Sequence, residues 1–206
     1  MNDIDFASFL VSRVCHDLVG PMGAVVNGLE VLEDERDAAM RADALKIVSQ
    51  SATQALARLQ FLRIAFGAAG SAGAELDLGE VGRLVSGLLS GSKVKLEWQA
   101  ARVNWPKDWA KLLMNAALLA ADCLPRGGIV RVLTSETAAP PSFRIDASGP
   151  YAKVLEEVDR ALHGDANHAP ADARGIQPYL TFKIAHGLGT RLRLSTREGA
   201  IEVAAG

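Results

Sequence analysis

Two long runs with apolar residues at steps of three and four constrain the first third of the chain more than any other feature. In the first, residues 5 to about 33, one stripe collects Phe6, Leu10, Val14, Leu18, Met22, Val25, Leu29 and Leu32, the period of an amphipathic helix. In the second, from about Ala38 to Phe66, the stripe is Leu45, Val48, Ala52, Ala55, Leu59, Leu62 and Phe66. Between them the acidic stretch Glu33-Asp34-Glu35-Arg36-Asp37 predicts a turn, so the two runs form an antiparallel helical hairpin. A lone hairpin cannot bury two apolar seams. Pairing with a second copy buries them, which predicts a homodimer with a four-helix bundle about a two-fold axis. Pro21 removes a backbone donor inside the first helix and predicts a kink there.

The small-residue run from Gly67 to Gly73 is the best domain boundary in the chain. It divides residues 1–70, the helical unit, from residues 75–206. The second unit alternates in character. Leu78 to Leu89 reads as a helix, and Lys93 to Trp98 as a half-buried strand. Pro106 opens a helix that Pro125-Arg-Gly-Gly128 stops near Leu124. Ile129–Thr134 and Phe143–Ala147 read as strands, and Tyr151–Leu162 as a helix. Residues 164–175 form a polar loop, Ile176–His186 is helical, and Arg191–Thr196 with Ala200–Ala204 make a terminal hairpin. The fold class is therefore α+β: a helical hairpin followed by an α/β sandwich with mostly antiparallel strands.

Composition narrows the function. The formal charge is -2 over 206 residues, and only 5% are aromatic, so neither nucleic acid nor an anionic membrane is an expected partner. No uninterrupted apolar stretch approaches the roughly 20 residues of a membrane span. The start MNDIDF lacks the positive charge and apolar core of a signal peptide. Cys15 and Cys123 have no metal-binding spacing. A cytoplasmic setting is expected.

The chemistry concentrates in Arg13-Val-Cys-His16-Asp17-Leu-Val-Gly20-Pro21. His16 lies two residues from both Val14 and Leu18, which turns it roughly 200° from the buried stripe and out to solvent. A neutral imidazole there is a nucleophile that can accept a phosphoryl group from an acyl phosphate and pass it on. Asp17 can accept the proton of the other ring nitrogen or stabilise the charge that develops. Arg13, Val19, Gly20 and Gly23 share the His16 face and are expected to dock a partner, the glycines opening the backbone to close approach. A single helical histidine is ordinarily only a solvated side chain. The adjacent Asp, the Gly-Pro pair and the long hairpin favour the nucleophile. Cys15 is read as packing at the edge of the seam, and His163, His168 and His186 as surface side chains.

His16-Asp17-Leu-Val-Gly-Pro21 resembles the H-box of sensor histidine kinases, and the hairpin resembles their dimerisation and phosphotransfer domain. The second unit is similar to their ATP-binding domain in the order of its elements. Asn115-Ala-Ala-Leu-Leu119-Ala120 resembles the N-box, but the position of the metal-binding Asn holds Leu119, which has no oxygen to offer magnesium. The Asp-x-Gly motif aligns with Ala147-Ser148-Gly149, with Asp146 one position early. Gly175-Ile-Gln-Pro-Tyr-Leu180 lacks the glycine cluster of a phosphate lid. A kinase-like dimer with its histidine kept and its ATP motifs lost resembles the ChpT-type histidine phosphotransferases of alphaproteobacterial phosphorelays.

That resemblance implies a relay step linked to cell-cycle regulation. His16 would take phosphate from the receiver aspartate of a CckA-like hybrid kinase and deliver it to CtrA-like and CpdR-like response regulators. It implies no cofactor of the protein's own, with Mg2+ supplied by the partner receiver. Gly20 replaces the Thr or Asn that orients a hydrolytic water in bifunctional kinases, so transfer is expected rather than phosphatase activity. The rival readings are an active kinase with an aberrant pocket and a non-catalytic scaffold or antikinase.

Overall fold

The computed structural model describes residues 1–67, 73–137, 140–163, 170 and 172–206. The first helix, α1, spans Asp3–Asp34, and α2 spans Ala38–Ala65. Polar caps start both. The Asn2 side chain accepts from the Asp5 amide at 2.8 Å, and Asp37 accepts from Ala39 and Met40 at 3.0 and 2.9 Å, satisfying orphan donors of the first turn. In the turn, the Glu35 carboxylate takes the Arg36 and Asp37 amides at 2.8 Å each, and those bonds hold its pKa below the usual value. Arg41 donates back to the carbonyls of Leu32 and Glu35. The acidic stretch is thus a built turn. Pro21 is buried inside α1, and the helix runs through it unbroken to Asp34. Gly28 sets the closest approach of the helices: a Cβ there would lie 2.6 Å from Val48 Cγ2.

The second half contains β1 (Glu75–Asp77), α3 (Leu78–Leu89), β2 (Val94–Gln99), β3 (Asn104–Pro106), α4 (Lys107–Asp122), β4 (Gly128–Thr134) and β5 (Phe143–Ser148). It continues with α5 (Glu156–His163), α6 (Ile176–Gly187), β6 (Arg193–Arg197) and β7 (Ala200–Ala205). Five strands form one sheet in the order β2-β4-β5-β7-β6, parallel only between β2 and β4. The parallel pair needs a crossover, and α4 supplies it. β1 and β3, which form a separate antiparallel pair, are three residues each and escape the sequence pattern. The expected helix from Tyr151 begins only at Glu156, because Tyr151 takes φ 63° after Pro150 and turns the chain. The polar loop falls mostly outside the described residues, as does most of the expected linker.

One sheet face is lined by Val130, Val132, Ile145, Ala147, Ile201 and Val203, all buried against α4, whose residues 112–121 are buried throughout. The end of α2 enters the same core through Phe61, Leu62 and Ala65. Two hydrogen bonds fasten the halves there, from Asn115 Nδ2 to the Ala65 carbonyl at 3.0 Å and from Lys111 Nζ to the Gly67 carbonyl at 2.9 Å. At the same open end of the hairpin, Phe6 of α1 meets Tyr179 of α6 edge to face at 6.2 Å.

Much of the hairpin's apolar surface faces outward in the single chain. Ile4, Val11, Met22, Val26 and Leu29 are exposed on one side of α1, with Leu45, Leu56 and Leu59 on α2. Cys15 is exposed on that same side of α1. By length and composition, α1 is apolar enough to cross a bilayer. A spanning helix is apolar all round, however, and α1 confines its apolar residues to part of its circumference while exposing His16.

Candidate functional site

His16 stands near the middle of α1 with its side chain 87% exposed. Its Nδ1 lies 3.3 Å from Asp17 Oδ1. That carboxylate is shared. Its other oxygen, Oδ2, accepts from Arg13 Nε at 3.0 Å, and the Asp17 side chain is only 17% exposed. One turn of helix thus brings Arg13 and Asp17 together at i and i+4, while Asp17 reaches His16 as its sequence neighbour. From α2, Arg58 Nη1 donates to the Asp17 carbonyl at 3.0 Å and fixes the backbone beneath the imidazole.

The arrangement has a direct chemical reading. A carboxylate beside Nδ1 favours the tautomer that carries its proton on that nitrogen. The lone pair is then on Nε2, which points into open solvent. Positive charge that develops on the ring when Nε2 bonds to an electrophile lies next to the Asp17 carboxylate.

The expected docking residues divide into two groups. Val19 is 68% exposed, and a Cβ added at Gly20 or Gly23 would meet nothing within 4 Å. No packing inside the chain requires those glycines, and they leave bare helix beside the histidine. Arg13 is different. Its side chain is 20% exposed, and its guanidinium turns inward to Asp17 and toward Asp122, with Nη2 3.9 Å from Asp122 Oδ2. Helical phase alone placed it with His16; two carboxylates draw its guanidinium inward instead.

Sequence reasoning missed Asp122, the last residue of α4. Burial, opposed by Arg13 and assisted by nearby Asp17, raises its pKa from 3.8 to about 6. A carboxylate at a helix C-terminus also meets the negative end of the helix dipole. Its neighbour Cys123 is buried, which pushes that thiol upward.

The positions compared with kinase nucleotide motifs are occupied by packing. Leu119 and Ala147 are core residues. Asn115 gives Nδ2 to the carbonyls of Ala65 and Lys111, and its Oδ1 accepts from Gln177 Nε2 at 3.2 Å. Gln177 Nε2 also donates to the Asn115 carbonyl at 3.0 Å, and Thr181 Oγ1 donates to the Gln177 carbonyl at 2.7 Å. This buried polar network ties α4 to α6 and leaves the Asn115 side chain no free oxygen aimed at a ligand. Among the described residues, no three His, Cys, Asp or Glu side chains cluster closely enough to hold a metal ion. His186 is exposed and packs on the Phe182 ring, consistent with a surface role. The side chain of His163 and all of His168 lie outside the described residues.

The fold and the site together define a two-part protein that displays one carboxylate-supported histidine on a helical hairpin. A model of the histidine phosphotransferase C-terminal domain matches residues 78–200, and the chain belongs to that family. Among its relatives is the protein phosphotransferase ChpT of Brucella abortus (strain 2308), 37% identical over 194 residues, 94% of this chain and 91% of that protein. A solved bacterial phosphotransferase superposes over 100% of this chain and 98% of its own, with 35% identity and a TM-score of 0.89. A looser likeness is to the histidine kinase AdeS of Acinetobacter baumannii: 14% identity and a TM-score of 0.49, over 92% of this chain and 95% of that one. The resemblance to ChpT-type phosphotransferases is thereby borne out, as is the α+β arrangement of hairpin and sheet. The family match begins after the hairpin, so the role of His16 rests on its geometry.

Proposed function

We propose that this chain is the middle carrier of a phosphorelay, with His16 as the phosphoryl-bearing residue and Asp17 as its catalytic partner. The observation that carries the reading is the exposed imidazole with Nδ1 held 3.3 Å from Asp17. In the forward step the Nε2 lone pair attacks the phosphorus of a receiver aspartyl phosphate. The acyl O–P bond breaks as the N–P bond forms, and the receiver carboxylate leaves. The Nδ1 proton stays in place, and Asp17 balances the cationic ring. Delivery to a second receiver is the reverse. The transfer depends mostly on alignment and electrostatics, and the receiver domain supplies the magnesium.

Residues 1–70 serve as the dimerisation and phosphotransfer unit and residues 75–206 as a degenerate ATPase-like unit that needs no nucleotide. The outward apolar side of α1 and α2 is the seam of a homodimeric four-helix bundle. Val19, Gly20 and Gly23 receive the receiver domain. By resemblance to ChpT-type relays, the donor is a CckA-like hybrid kinase and the acceptors are CtrA-like and CpdR-like regulators, in the cytoplasm.

The test is phosphotransfer profiling against a panel of phosphorylated receiver domains. Wild type acquires label, His16→Ala acquires none, and Asp17→Asn slows transfer by about tenfold or more. Label that persists on His16→Ala refutes the assignment. A wild type that no receiver labels favours a scaffold or antikinase.

A further inference from the structure

Asp122 occupies a costly position that the fold itself does not explain. It is partly buried, it sits at the wrong end of a helix for a negative charge, and it belongs to the second half of the chain. Its cationic neighbour is Arg13, on α1. Arg13 in turn holds Asp17 Oδ2, and Asp17 Oδ1 faces His16. A continuous line of charged groups therefore runs from the end of α4 to the exposed imidazole. The groups facing this line are Arg13, Asp17 and His16 from α1, Arg58 from α2, and Asp122 from α4.

Resting on the relay reading above, we propose that Asp122 is a positioning residue for His16: acting through Arg13, it holds the Asp17 carboxylate so that Nδ1 keeps its proton and Nε2 is the reacting atom. An i,i+4 pair alone is worth a few tenths of a kcal/mol, too little to hold a long arginine and a carboxylate in one arrangement. A second carboxylate, on a different helix and 3.9 Å from Arg13 Nη2, adds its attraction to that of Asp17. That helix does not drift, because Lys111 and Asn115 fasten α4 to the end of α2. The second half of the chain thereby has a use that requires no nucleotide: it supplies the far anchor of the catalytic pair.

The experiment uses the full-length protein and potassium phosphoramidate, a small donor that bypasses receiver docking. The Nε2–P bond forms as the donor P–N bond breaks and ammonia departs with a solvent proton. Phosphohistidine is followed by mass spectrometry, and its linkage by phosphorus NMR. Wild type labels His16 at Nε2. Asp122→Asn slows labelling about fivefold, and part of the label moves to Nδ1. Asp122→Glu restores the rate to within about twofold, and Arg13→Ala behaves like Asp122→Asn. Both Asp122 variants keep the wild-type unfolding midpoint or exceed it. A wild-type rate and a single Nε2 linkage in Asp122→Asn overturn the proposal while leaving the relay intact. Failure of wild type to label at His16 overturns both.

Discussion

Replacing Asp122 by Asn has a consequence for stability opposite in sign to its effect on transfer. The carboxyl pKa rises from 3.8 to about 6 on folding, chiefly because the group is buried. Between those values the folded protein binds the proton more tightly than the unfolded chain, so stability falls as pH rises through the window. At about 1.36 kcal/mol per pKa unit, the shift corresponds to a ceiling of about 3 kcal/mol. The side chain is 37% exposed, and solvent screening reduces this to about 1 kcal/mol. Asn keeps the shape without the charge. Asp122→Asn is therefore expected to be more stable than wild type by about 1 kcal/mol above pH 6, a rise of about 2–4 °C in Tm. The gain shrinks to about half near pH 5 and vanishes below about pH 4. Urea or thermal unfolding at pH 7.5, 6 and 5, at fixed protomer concentration, measures it. A variant less stable than wild type at pH 7.5 refutes the reasoning, because the attraction of Arg13 then outweighs the burial of the charge.

Two further perturbations probe the hairpin. Leu56→Glu with Leu59→Glu places charges on the outward apolar side of α2, and sedimentation is expected to show monomers; a dimer that survives places the seam elsewhere. Gly28→Ala sets a methyl 2.6 Å from Val48 Cγ2, which is expected to destabilise the chain by about 1–3 kcal/mol in urea. Pairing it with Val48→Ala should recover most of that loss, and no recovery means that the helix contact is not what limits the position.

The hairpin was legible because two apolar runs of many turns allow only one period, and the turn between them carries its own capping residues. The sheet was legible strand by strand but not in its order, since β2 pairs in parallel with β4 across an entire helix. β1 and β3 left no trace, being short and stabilised by each other rather than by an apolar pattern. The Tyr151 segment misled for the opposite reason. It has apolar residues at helical spacing, but Pro150 and the positive φ of Tyr151 commit it to a turn. At the site, exposure of His16 and its pairing with Asp17 both followed from helical phase and adjacency.

Arg13 marks where that logic stops. Phase assigns a residue to a side of its own helix, and it correctly put Arg13 near His16. It says nothing about which charges from elsewhere in the chain arrive beside it. Asp122 is distant in sequence, and its own surroundings, Ala-Ala-Asp-Cys-Leu, read as the unremarkable end of a buried helix. Only folding brings it within 3.9 Å of Arg13. A burial that raises its pKa then becomes informative, because a site that merely needed packing would be better served by a neutral residue. Retaining a carboxylate there makes sense if its charge is used, and the nearest user is the arginine that also holds Asp17. This also bears on why a phosphotransferase keeps a domain whose nucleotide motifs have become core packing: removing the domain would remove the anchor along with the motifs.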